Sequence, residues 1–138
     1  MRYPAEMVAP FAKDLTDFGF ESLNSENEVI QALDESQGTI LVVVNSVCGC
    51  AAANARPAAK MAIKNEKKPD RITTVFAGVD IEATAKAREY MVPYPPSSPS
   101  MALFKDGKLV HFIERMEIEG RTAESIAFNL ISAFDKHC

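Results

Sequence analysis

The six residues Thr39-Ile40-Leu41-Val42-Val43-Val44 constrain the fold more than any other stretch. Side chains branched at Cβ favour the extended backbone. The run does not alternate apolar with polar, so it fits a strand covered on both faces, as in the interior of an α/β sheet. Asn45-Ser46 turns the chain, Cys48-Gly49-Cys50 follows, and the next segment is rich in alanine, the strongest helix former. Both cysteines therefore fall at a strand-to-helix corner. Open α/β sheets carry their sites there, beyond the carboxyl ends of the strands.

The flanking segments supply helices and further strands. Met7, Val8, Phe11, Leu15 and Phe18 form a stripe at helical spacing over residues 4–18, and Gly19 stops it. Ser25 and Glu28 make a capping box for a second helix with Val29, Ile30 and Leu33 on its apolar face, ended by Gly38. The helix after the cysteines is predicted to reach about Lys64, with a kink at Pro57, which lacks a backbone donor. Residues 65–70 read as a charged loop and residues 72–77 as a second strand. Asp80 can cap a helix whose apolar side is Ala83, Ala87, Tyr90 and Met91.

Residues 92–100 hold four prolines and three serines, too stiff for a helix and too polar for a core strand. Residues 101–105 and 109–113 read as a hairpin joined by Asp106-Gly107, a type I′ turn signal. Thr122 can cap a last helix striped by Ala123, Ile126, Ala127, Leu130 and Phe134, with Lys136 and His137 at its C-terminal end. The order is α, α, β, α, β, α, proline-rich loop, β-hairpin, α. It predicts one α/β domain over residues 1–138, a length that buries a real core.

A net charge of −4 gives no basic footprint for nucleic acid. No apolar run approaches the ~18 residues of a membrane span. No secretory h-region follows the N-terminus, so a cytosolic location is expected. Three cysteines, two of them one residue apart, argue against a stapling framework and for redox or metal chemistry.

The thiolate is the reactive form of cysteine, and a helix N-terminus favours it. Cys48 is placed as the outer, attacking sulfur and Cys50 as the deeper, resolving one. Gly49 supplies the freedom to close a small Cys48–Cys50 ring, which is expected to be strained and oxidising. A simple packing role for two small residues fits the glycine-centred corner poorly. The competing reading is a metal-binding or metal-delivery module, since Cys48, Cys50, Cys138, His137 and His111 are all soft ligands. Against it, zinc knuckles space their cysteines more widely. Arg56, about two turns after the motif, either attracts an anionic thiol or thiolate or decorates a helix surface. Arg115 carries the same two readings, the surface one favoured; His111, Asn45 and Ser46 read as structural, and Cys138 as a terminal residue.

The run Pro99-Ser-Met-Ala-Leu-Phe-Lys-Asp-Gly107 resembles the segment of the thioredoxin fold in which a proline precedes a buried hairpin. That resemblance implies a thioredoxin-like fold, a central mixed sheet flanked by helices, here with an N-terminal helical extension. It also implies a cis Ser98–Pro99 bond facing the cysteines, where backbone can pair with substrate. Val42–Ala52 with Cys-Gly-Cys, Ala55-Arg-Pro-Ala58, Val75-Phe-Ala-Gly78, Glu82-Ala-Thr-Ala-Lys86, Pro96-Ser-Ser-Pro-Ser-Met-Ala-Leu103, Ile118-Glu-Gly120 and the terminal His-Cys resemble the bacilliredoxin family over nearly the whole chain. The resemblance implies a cytoplasmic thiol–disulfide oxidoreductase, possessing disulfide isomerase activity as well, that removes bacillithiol from S-thiolated proteins. Its partners are then bacillithiolated proteins and a low-molecular-weight thiol, with no nucleic acid, membrane, metal or organic cofactor. Carried over, Cys48 is the nucleophile, Cys50 the resolving thiol, and Pro99 with Ser98 the substrate-docking segment. The chain departs from ordinary thioredoxins in its one-residue cysteine spacing and its lack of tryptophan.

Overall fold

The computed structural model describes residues 2–34 and 37–138. Its centre is a five-stranded mixed sheet in the order β1-β3-β2-β4-β5. The strands are β1 (Glu21–Ser22), β2 (Thr39–Asn45), β3 (Arg71–Phe76), β4 (Ser100–Lys105) and β5 (Lys108–Ile113). The first three pair in parallel, while β2–β4 and β4–β5 are antiparallel. Every residue of β2 is buried, as its unbroken apolar run requires. Asp106 and Gly107 both take positive φ at the hairpin turn.

The helices are α1 (Ala5–Thr16), α2 (Glu26–Leu33), α3 (Arg56–Ala62), α4 (Ile81–Glu89) and α5 (Ala123–His137). Alternation along β2 divides the interior in two. Leu41 and Val43 pack with Leu15 of α1, Ala58 and Ala59 of α3, and Leu130 and Phe134 of α5. Ile40, Val42 and Val44 pack with Val29 and Leu33 of α2 and Ala83 and Ala87 of α4. Ser25 caps α2 by accepting from Glu28 N–H at 3.1 Å, and Thr122 caps α5 by accepting from Ser125 N–H at 3.1 Å.

Several local expectations are corrected. The two-residue strand β1, too short to show a pattern, pairs with β3. On α1, Val8 and Leu15 are buried, but Met7 is 52% and Phe18 45% exposed. Phe18 instead supports the ammonium of Lys60, 5.0 Å from its ring centroid. The Asp80 carboxylate does not cap α4; it turns back to accept from Phe76 N–H at 3.1 Å. Pro57 sits within the first two positions of α3, directly after a π-helical turn over Ala51–Ala55. There the Arg56 N–H reaches the Ala51 carbonyl, a five-residue step. The widened turn delivers the chain to Pro57 at a helix start, where a missing donor costs little.

Candidate active site

The end of β2 is tied down before the cysteines begin. Asn45 Oδ1 accepts from Ser46 N–H at 2.8 Å and from Arg56 Nη1 at 3.1 Å, while its Nδ2 donates to the Phe11 carbonyl at 3.1 Å. Ser46 Oγ then accepts from Cys48 N–H at 3.0 Å. The Cys48 carbonyl accepts from Ala51 and Ala52 N–H, which starts the helical segment. Cys50 N–H points to Cys48 Sγ at 3.4 Å. The two sulfurs are joined as a disulfide, with Cα atoms 5.4 Å apart. Both cysteines are half-buried and Gly49 between them is exposed.

Facing this turn is the proline-rich segment. Ser100 pairs with Val44 at the end of β2, so the preceding Ser98 and Pro99 lie opposite the cysteine corner. The Ser98–Pro99 peptide bond is cis, as is Val92–Pro93. Tyr94 stacks on Phe112 of β5 at 4.5 Å, and Ser100 Oγ donates to the Ser97 carbonyl at 3.0 Å, which fixes the segment on the sheet. Cys48, Ser46 and Ser98 line one cavity of about 460 Å³, together with Tyr3, Arg88 and Arg115.

Arg56 is placed elsewhere than an anion-attracting residue needs. It is 4% exposed, and its guanidinium faces the underside of the turn. Besides Asn45, it donates to the Ser46 carbonyl at 3.2 Å and to Asp14 at 3.0 Å, and it lies over the Phe11 ring at 5.2 Å. Lys60 also donates to Asp14, at 2.6 Å. Asn45 and Ser46 are thus more than turn closers: they link Arg56 to the backbone of Cys48. Arg88 was not singled out from sequence, because one arginine on an amphipathic helix carries no signal of its own.

The metal-ligand candidates do not converge. Cys138 neighbours Thr39 at the start of β2, the end remote from Cys48, and burial raises its thiol pKa. His111 on β5 bonds Asn129 at 2.6 Å. Among the described residues, no group of three or more His, Cys, Asp or Glu side chains could hold a metal ion.

A mixed sheet with a cysteine pair beyond its central strand and a cis-proline segment opposite defines a thiol–disulfide oxidoreductase of thioredoxin fold. Solved structures agree on the fold. A putative oxidoreductase with a thioredoxin fold superposes with a TM-score of 0.61 at 16% identity, covering 78% of this chain and 90% of that one. Thioredoxin of Fasciola hepatica gives 0.57 at 18% identity, covering 86% and 100%. The chain belongs to the bacilliredoxin family: the sequence model described as disulphide isomerase matches residues 3–138. It is 53% identical over 136 residues to a bacilliredoxin of Halalkalibacterium halodurans, covering 99% of this chain and 94% of the relative. A bacilliredoxin of Cytophaga hutchinsonii is 51% identical over 134 residues, covering 97% and 98%.

Proposed function

We propose that this thiol–disulfide oxidoreductase removes bacillithiol from S-thiolated protein cysteines, with Cys48 as the attacking sulfur. The Cys48 thiolate attacks the bacillithiol sulfur of the mixed disulfide. The target cysteine leaves as a thiolate and takes a proton, and the cap remains on Cys48. The Cys50 thiolate then attacks Cys48 Sγ, bacillithiol leaves, and a Cys48–Cys50 disulfide forms. Two electrons have passed to the substrate, and an external thiol reductant must return them. The observation that carries this reading is the bonding contact between Cys48 and Cys50 at a cavity shared with Ser98. The Ser98–Pro99 segment docks the target chain beside the sulfur. At a protein disulfide, Cys48 attack gives a mixed disulfide with the target; attack on that bond by another target thiol releases the Cys48 thiolate and leaves a rearranged disulfide, an isomerase activity in keeping with the description of the family. A reducing, cytosolic compartment suits a cysteine pair that must be reset.

Intact mass of the Cys50→Ser variant, mixed with a bacillithiol-capped protein, tests the reading. A gain of one bacillithiol, absent when Cys48 is also changed to serine, is the expected result. No gain with the target still capped would refute it.

A further inference from the structure

We propose that Arg88 and Arg115 form an anion subsite beside Cys48 that takes a carboxylate of the small thiol being removed. The inference rests on Cys48 being the attacking sulfur and adds the residues that hold its cap. Arg88 comes from α4 and Arg115 from the short 3₁₀ turn Arg115–Glu117 after β5, yet both line the cavity that holds Cys48. Arg88 Nη2 donates to the Ser97 carbonyl at 3.3 Å and Arg115 Nη1 to the Ser98 carbonyl at 3.1 Å. Consecutive carbonyls of the docking segment thus hold one edge of each guanidinium.

The remaining donors are unevenly matched. Arg115 Nε is paired with Glu119 at 2.9 Å. Arg88 Nε is buried with no hydrogen-bond partner, and Arg88 forms no ion pair among the described residues. Among the described residues, no carboxylate lines the cavity. Burial lowers the Arg88 pKa, as for a cation without a local anion, but arginine stays charged in proteins. Arg88, with no acidic partner among the described residues, in a chain of net charge −4, is a local exception that calls for an anionic occupant beside the already paired Arg115. Guanidinium forks match carboxylates bidentately. A cavity of about 460 Å³ holds a small molecule, whereas a protein strand would lie along the surface.

Adduct formation on Cys48 tests this in the Cys50→Ser protein, followed by intact mass with two symmetrical disulfides. One is made from mercaptosuccinate, which carries carboxylates, and the other from neutral 2-mercaptoethanol. Each rate is divided by that of a free cysteine peptide, which removes intrinsic reactivity. The normalised ratio should favour the dicarboxylate by about tenfold, the worth of one charged hydrogen bond. Arg88→Gln with Arg115→Gln should bring the ratio to about one, and the corresponding lysine pair should restore part of it. A ratio near one in the starting protein, or a ratio unchanged in the glutamine pair, overturns the subsite. So does a proportional loss of both rates, which marks a structural role. If Cys48 of the starting protein reacts with neither disulfide, the attack assigned to Cys48 fails first and the subsite falls with it.

Discussion

Replacing Arg56 by methionine removes a buried guanidinium while keeping most of its stem. Arg56 is 4% exposed and donates to Asp14, Asn45 and the Ser46 carbonyl at 3.0, 3.1 and 3.2 Å. A hydrogen bond to a charged group contributes about 1.5–3 kcal/mol, and breaking a buried pair costs about 3–5 kcal/mol. Three considerations lower the total. The Asp14 side chain is 33% exposed and so partly screened, Lys60 remains to pair with it, and Asn45 Oδ1 keeps the Ser46 N–H. A net loss of about 3 kcal/mol follows, equivalent to a fall in Tm on the order of 10 °C for a chain of this size. Urea and thermal unfolding measure it directly. Asp14→Asn and the double variant complete a cycle that should show coupling of about 1–2 kcal/mol. If Arg56→Met stayed within about 0.5 kcal/mol of the parent but lost exchange only with anionic disulfides, the guanidinium would be a substrate group and the structural role argued for it would be wrong.

The Asp14 carboxylate gives a pH prediction. Burial alone would raise its pKa, but hydrogen bonds from Lys60 and Arg56 outweigh that and hold it below the ordinary value. A depressed folded pKa stabilises above the unfolded value of about 3.9, and the benefit is lost as pH falls through the folded value. The stability advantage of the parent over Asp14→Asn should therefore hold at neutral pH and close in acid below about pH 4; urea midpoints across that range would contradict it by showing a constant gap. At the far end of β2, Cys138 neighbours Thr39 and Asp70 instead of Cys48. Cys138→Ser should leave the rate of Cys48 adduct formation unaltered, and a large loss in stopped-flow exchange would contradict its placement.

Much of the fold was legible because its signals are local. Residues 39–44 could be read as a doubly covered strand from composition alone, and the Asp106-Gly107 hairpin from turn chemistry. Burial of Met7 and Phe18 was overestimated for a physical reason. Helical spacing specifies a face but not how wide a strip the neighbouring elements cover, and α1 buries only Val8 and Leu15 fully. The π-helical turn before Pro57 was also out of reach. A proline announces a lost donor, but whether the chain kinks or widens one turn earlier depends on what the helix packs against.

The site divides along the same line. Cys48, Cys50 and Pro99 stand out in short motifs, because a reactive turn and a restricted backbone each leave a local mark. The groups that set the surroundings of the sulfur do not. Asp14, Asn45 and Arg56 meet beneath the turn from α1, β2 and α3, and Arg88 and Arg115 meet at the cavity from α4 and a later turn. Sequence distance hid the exchange of roles between two kinds of arginine. Arg56, nearest to the motif, faces inward, where its charge is met by Asp14 and locks the cysteine turn. Arg88, 40 positions beyond Cys48, lines the same cavity as the reactive sulfur and has no acidic partner among the described residues. A paired, buried cation organises structure, whereas an unpaired one at a cavity keeps its attraction for a ligand. Charge compensation therefore assigns the two roles, and nearness in the chain does not.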